Sequence, residues 1–569
     1  MTVVALGAVT VVGGGDDGER SGDRTATPGG EVQWTSTAAT EPGAPAPTGQ
    51  MPVTYAEAEA DEALDEQAWP DTCDTDRGTV ELPSVYALPC VPTPVGGNGG
   101  ATARGVTADA VKVVYYAPAT SADLAAILGG MGLDDSAEQR LDTLQAFVDI
   151  QASVAETYGR RIEVVPFAAS GASNDPVAST ADAIDVIAMD PFAVIGGPAL
   201  DRGTFAQAIA EAGIPCYGCG SYLPDDMVLD MAPYLWDTPP SPNQFLGMLQ
   251  AWTEAGERRT SGEVAAFAGG DLRGRPRRVG AIHFEQDPPI YGETAEDQEG
   301  RFGRVDLTET YVLDMPSLPA KATELIAKFK AEGITTVVFM GDPFMPGYLT
   351  RAATAQRYHP EWIFTGTALT DTNALARSWD PGQMERAYGI SQLAAPTDQD
   401  LQEPIRLYRW YRGDGALPPA RNQYALLAPP AAWLVAGIHM AGPELTAETF
   451  ARGLFRIPPR GGGPSNPQVS YGSWGVFPDM DYQAIDDAVE IWWDGTVEAP
   501  DERGTMGVGA WRRSDGGRRF TIDGAPAPRP FADRAHALTV VDELTPEDSP
   551  PSYPPPPGAP AARSSAGGE

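Results

Sequence analysis

Between Gly105 and about Gly495, short β-branched runs alternate with stretches whose apolar residues recur every three to four positions. That alternation is the signature of parallel βαβ units. Val111–Tyr116 reads as a first strand. Asp134–Thr157 follows as a helix, with Leu141, Leu144, Phe147, Val148 and Val154 on one face. Ile162–Phe167 is the next strand and Ala178–Met189 the next helix. Phe192–Ile195 is a buried strand running into Gly196-Gly197-Pro198. Asp201 is placed to cap a helix that continues through Ala212, and Ile214-Pro215-Cys216 opens another strand.

The theme then restarts. Asn243–Ala255 is helical, Val279–Phe284 a strand, Thr294–Arg301 a helix and Val305–Val312 a strand. Leu318–Ala331 and Tyr348–Tyr358 are helices around the strands Thr336–Met340 and Trp362–Thr365. Between the two sets lies Trp236–Pro242, where Pro239, Pro240 and Pro242 stop any helix from running through. Two successive α/β sets imply two similar lobes and a hinge.

The flanks read differently. The 569 residues include 63 Gly and 54 Pro, crowded toward the ends, which favours a folded middle with disordered termini. Residues 1–13 form an apolar leader, too short for a bilayer, that reads as a truncated signal peptide. Residues 14–104 read as a Gly/Pro-rich linker with a small Cys73–Cys90 loop. Residues 500–569 read as an extension ending in a Pro-rich tail from Pro550.

Charge narrows the partners. With 39 Lys and Arg against 78 Asp and Glu, the net charge is −39, which repels nucleic-acid phosphates and anionic lipid. Four cysteines, Cys73, Cys90, Cys216 and Cys219, pair most simply as Cys73–Cys90 and Cys216–Cys219, although three pairings are open. The Cys216-x-x-Cys219 spacing also suits redox or metal chemistry. Its place at a strand end, rather than a helix N-terminus, favours a structural disulfide.

The landmarks Val194-Ile195-Gly196-Gly197, Ala212-Gly213-Ile214-Pro215, Tyr234-Leu235-Trp236 and Ile282-His283-Phe284-Glu285 follow one another in that order. Tyr291-Gly292, Gly333-Ile334 through Phe339-Met340-Gly341-Asp342, Tyr424–Gly442 and Tyr471–Trp493 continue the series. Together they resemble the type I periplasmic binding proteins, the branched-chain amino-acid-binding proteins of ABC importers among them. The resemblance covers roughly residues 106–495. It implies an α/β fold of two Rossmann-like lobes joined by a multi-strand hinge, with 105–236 plus 370–470 as the first lobe and 243–365 plus 480–495 as the second. It implies a small solute trapped between the lobes, delivery to a membrane permease of an ABC importer, and an extracytoplasmic location, secreted or at the cell surface.

Candidate contacts lie in loops after strand ends. Gly197, Pro198, Ala199 and Leu200 precede a helix N-terminus suited to a carboxylate. The stretch has no hydroxyl, where amino-acid binders of this family place a Ser or Thr, which argues against an α-amino acid. Tyr217, Ser221 and Tyr222 occupy the next such loop, with Tyr291, Asp342 and Phe344 on the other lobe. Asp342 suits either a ligand amine or hydroxyl, or the cap of the next turn. No catalytic elbow, phosphate loop or zinc motif occurs, so no enzyme activity, metal or cofactor is expected. Two other readings remain open: a sensor signalling to a partner protein, and a surface structural protein that has lost its solute.

Overall fold

The computed structural model describes residues 51–119, 134–198, 201, 203–220, 223–255, 264–285, 305–502, 504–525, 529–532 and 534–562. The expected helix at Thr294–Arg301 lies outside them.

The first strands along the chain, β1 (Cys73–Asp74) and β2 (Thr79–Val80), form an antiparallel pair. Then β3 (Ala110–Ala117), β4 (Arg161–Ala168), β5 (Ala193–Ile195), β6 (Cys216–Tyr217) and β7 (Leu235–Trp236) make a wholly parallel sheet in the order β4-β3-β5-β6-β7. Parallel neighbours need crossover helices. The Ala137–Ala152 helix is started by a capping box of Ser136 and Gln139, and the Pro176–Ala188 helix by the Asp175 carboxylate with proline at its first position. Gly203 precedes the Thr204–Glu211 helix, and the Asp201 carboxylate accepts from the Phe205 N–H at 2.6 Å, as its position in sequence suggested.

The second sheet repeats the plan. β8 (Val279–Phe284), β9 (Leu307–Tyr311), β10 (Thr336–Met340), β11 (Glu361–Phe364) and β12 (Ala387–Ser391) run parallel in the order β9-β8-β10-β11-β12. β8, β10, β11 and β12 are buried throughout, as helices on both faces require. β13 (Val489–Pro500) and β14 (Met506–Arg513) extend it antiparallel, with a register irregularity between Asp494 and Glu498. Trp493-Asp494-Gly495 thus lies inside β13.

Three segments cross between the lobes. Trp236–Pro242 runs beside 482–489: the Asp237 N–H donates to the Tyr482 carbonyl, and the N–H groups of Ala484 and Ile485 donate to Asp237 and Thr238, each at 3.0 Å. Ser241 then caps the Pro242–Glu254 helix. The other crossing leaves β12 and enters the Glu403–Arg412 helix of the first lobe. The Arg519 guanidinium donates to the Gln392 and Leu393 carbonyls along it.

Two boundaries move. Because β12 pairs with β11, residues 370–391 belong with the second lobe, and the first resumes only after this crossing. Part of the segment read as linker is also folded. Val80, Leu82, Leu88 and Val91, expected within a linker, join the hydrophobic core of the first lobe. At the other end, the Trp410 indole donates to the Tyr553 carbonyl at 3.1 Å, and the Tyr553 hydroxyl donates to Asp74 at 2.6 Å. Proline-rich chain docks here through carbonyls and one tyrosine, without a periodicity that sequence could reveal.

Candidate functional site

A cavity of about 590 Å³ opens at the crossings and extends into the first lobe. Strand ends form one wall: Tyr115, Tyr116 and Pro118 at the end of β3, Ile195, Gly196 and Gly197 at the end of β5, and Tyr217 and Gly218 at the end of β6. The chain bends sharply where these ends meet. Gly196 has φ +86°, and a side-chain carbon there would sit 2.9 Å from the Tyr116 carbonyl oxygen. Only glycine holds that conformation without strain.

Two helices supply the opposite walls. Arg140, Phe147 and Gln151, at positions i, i+7 and i+11 of the Ala137–Ala152 helix, share one face toward the cavity. The Tyr424–Ala441 helix contributes Ala425, Ala428, Ala432 and Ala436 at i, i+3, i+7 and i+11, and small side chains on that face leave the space open. Its Pro429 and Pro430 carry no N–H, so the Ala425 and Leu426 carbonyls lack their i+4 donors. This helix is apolar enough to cross a membrane by composition and length, but most of it is buried inside the lobe. Leu82, Ser84, Tyr86 and Leu88 of the N-terminal strap close one side.

The lining is mainly apolar, with few charged groups. Glu403 accepts from the Ser84 hydroxyl at 2.7 Å and faces Arg406, and burial raises its carboxyl above the usual range. Arg513 donates to the Ala394 carbonyl at 2.9 Å, and burial lowers its guanidinium to about 10 against the pull of Asp371. Arg140 donates to the Gln423 side-chain oxygen at 3.5 Å and is hydrogen-bonded to the Tyr115 hydroxyl.

The expected contacts divide. Gly197 and Tyr217 line the cavity; Pro198 is buried beside it without lining it. Ala199, Leu200, Ser221, Tyr222 and Tyr291 lie outside the described residues. Asp342 and Phe344 do not line it. One Asp342 oxygen accepts from the Phe344 and Met345 N–H groups at 2.7 and 3.0 Å, and the other accepts from the Tyr311 hydroxyl. The buried carboxylate thus caps the Met345–Ala355 helix, the alternative left open for it, and Phe344 packs on the core of the second lobe. Cys216 and Cys219 are disulfide-bonded and fix the Tyr217-Gly218 turn at the cavity wall, while Cys73 and Cys90 are bonded at the base of the strap.

Sequence reading missed Arg140, the alanine face and the strap. The Pro429-Pro430 pair within an apolar helical run was the one available signal of an irregular, cavity-facing helix.

Two sheets whose parallel strands share one order, three crossings and a cavity opening at the hinge decide the architecture. This is the type I periplasmic binding protein fold. No protein-family model matches the sequence, and no curated protein does. Solved structures similar to this chain include a type 1 periplasmic binding protein from Bordetella pertussis, 12% identical over 70% of this chain and 100% of that one, with a TM-score of 0.45. A fatty acid ABC transporter substrate-binding protein from Thermomonospora curvata is 15% identical over 76% of this chain and 99% of that one, TM-score 0.47. An ABC transporter solute-binding protein from R. palustris in complex with 4-hydroxybenzoate is 14% identical over 74% and 98%, TM-score 0.48. All three carry the description of a binding protein.

Proposed function

We propose that this chain is an extracytoplasmic binding protein that captures a small amphipathic solute and presents it to the permease of an ABC importer. The observation that carries the reading is the cavity. Its 590 Å³ fall within the roughly 300–1,000 Å³ of small-molecule sites, and its walls are mainly apolar with few polar groups. It is bounded by both lobes and by the crossings, so a bound solute bears on the hinge angle. Two disulfides favour an oxidising compartment. The ordered strap and C-terminal arm add walls and bracing to the first lobe, which suits a binding protein better than a bare structural scaffold.

A thermal-shift panel of amphipathic acids, alcohols, amines, amino acids and sugars on the full chain tests this. A ligand at a hundredfold excess over its Kd adds about 2.7 kcal/mol to the folded state. At least one class is expected to raise Tm by several degrees; a flat panel counts against solute capture.

A further inference from the structure

We propose that the C-terminal arm is a brace across the hinge, which holds the two lobes at the separation seen here until Asp548 leaves its pocket on the first lobe. The inference concerns the hinge itself and needs no bound solute.

The arm is anchored first on the second lobe. Phe531 packs among Phe267, Tyr388 and Trp492, with ring centroids 5.1, 5.9 and 5.5 Å away. The Arg529 N–H donates to both Glu490 carboxylate oxygens at 2.8 Å. Ala537 joins the second-lobe core, and Leu538 pairs antiparallel with Arg513 at the end of β14 through bonds of 2.7 and 2.8 Å. The chain then runs along the third crossing. The buried Val541 donates its N–H to the Pro396 carbonyl at 2.8 Å and pairs in parallel with Thr397.

The remaining anchors lie on the first lobe. Asp548 is wholly buried. One of its oxygens accepts from the Ser465 N–H at 2.8 Å and the Ser465 hydroxyl at 2.6 Å, and the other accepts from the Asn466 amide at 2.8 Å. Gly463 makes the room, since a side-chain carbon there would sit 2.1 Å from the carboxylate. The loop that holds Asp548 belongs to the first lobe: Ile457 before it and Val469 after it are in that core, and Tyr86 donates to the Pro467 carbonyl at 2.7 Å. Beyond Asp548, Tyr553 docks on Trp410 and Asp74, and Pro556 and Ala559 are buried.

Hinged lobes move when a few residues of the crossings absorb changes in backbone torsion. The arm adds a further connection beside the third crossing, fastened on both sides of it. The link 542–547 is short, and the Asp548 N–H bond to the Thr545 carbonyl at 3.0 Å folds part of it into a turn, so it carries little slack. A change in lobe angle therefore has to break the arm's bonds at one end. The second-lobe end is sunk in a core through Phe531 and Ala537. The first-lobe end nearest the hinge rests on one carboxylate and its charge-assisted bonds, so release begins at Asp548.

Distance measurement between spin labels on the full chain tests the brace. Ala181→Cys and Ala327→Cys place the labels, both at exposed positions, on one helix of each lobe. The labelled chain is compared with Asp548→Asn, and with a version in which a specific protease site replaces residues 542–547, before and after cleavage. With the arm intact a single narrow distribution is expected. Asp548→Asn and cleavage should each broaden it into a second population, with far-UV circular dichroism unchanged. A broad distribution with the arm intact, or a narrow one that survives cleavage, overturns the brace. Broadening on cleavage but not in Asp548→Asn overturns Asp548 as the latch. Asp548→Asn keeps the chain whole and the side chain's volume, so it reads the hinge independently of how the cut chain behaves. Broadening that comes with lost circular dichroism in that variant means that the arm serves folding, and this too overturns the brace. Because every sample is free of ligand, each outcome leaves solute capture to be judged by the thermal-shift panel.

Discussion

The Tyr217 hydroxyl donates to the Tyr471 hydroxyl at 3.0 Å, joining residues 254 positions apart. Tyr471 in turn donates to the Asp237 carbonyl at 2.9 Å, so a strand end at the cavity wall is tied to the first crossing by two consecutive bonds. Trp236 packs edge-on against Tyr471 with ring centroids 5.2 Å apart, and Trp433 does so at 4.8 Å. Tyr471→Phe keeps the rings and removes both bonds, leaving a buried Tyr217 hydroxyl without its acceptor. A loss of about 1–3 kcal/mol is expected by chemical denaturation. Tyr217→Phe should cost less, because Tyr471 keeps its bond to Asp237.

Gly196 turns the chain at the cavity mouth. Gly196→Ala places a methyl group 2.9 Å from the Tyr116 carbonyl at a φ of +86°. Destabilisation of about 1–3 kcal/mol follows from the conformation alone, and ligand affinity should fall with it as β3 and β5 move apart. Denaturant midpoints and titration on the same variant check both.

The Cys73–Cys90 disulfide closes a 17-residue separation around the strap that walls the cavity. Its removal by Cys73→Ser with Cys90→Ser should cost about 3 kcal/mol in the chain-entropy picture. The strap's anchors, Ser84 to Glu403 and Tyr86 to the Pro467 carbonyl, should then show faster amide exchange around them. Removing Cys216–Cys219, a separation of 3, should cost less, because the loop it closes is shorter. Hydrogen exchange with mass spectrometry on the two double variants distinguishes these effects.

Asp371 and Asp486 give the hinge region a pH response. Burial pushes each carboxyl up to about 7, against the partial relief of the Ser391 hydroxyl for Asp371 and the Ser470 hydroxyl for Asp486. In the unfolded chain both ionise near the ordinary value of 3.8. Between about pH 4 and pH 7 unfolding therefore releases their protons, so their contribution to stability falls as pH rises and levels off above the folded value. Glu57, Asp74 and Asp494 are shifted downward, and their opposite effect belongs to more acid solution. His283 and His439, both lowered by burial from 6.5, work against this slope below about pH 6.5, so wild type is compared with a variant that lacks one of the two carboxyls. Asp486→Asn should flatten that slope, read from Tm across the range.

Periodicity made the strands and crossover helices legible because each βαβ unit writes its own local pattern: β3 and its crossover helix alternate with the periods that Val111–Tyr116 and Leu141–Val154 display. The place of β12 was not legible, since pairing with β11 rather than with the first sheet depends on contacts that no local pattern encodes. The strap and the C-terminal arm were hidden for a related reason: Leu82, Leu88 and Tyr553 dock singly, among prolines, with no repeat. At the site, Gly197 and Tyr217 could be placed because they end strands. Arg140 could not, because a charged residue on a helix face ordinarily points to solvent, and only the neighbouring helix turns this one toward a cavity.

Filling the cavity tests solute capture most directly. Ala432 lies mid-way along the small-residue face, and Ala432→Trp puts an indole where the ligand's body would lie. Calorimetric titration with the strongest ligand from the thermal-shift panel should give saturable one-to-one binding to wild type and at least a tenfold loss in Ala432→Trp, with Tm of the free protein little changed. Equal affinity in the two proteins would contradict the account, because the solute would then be bound elsewhere.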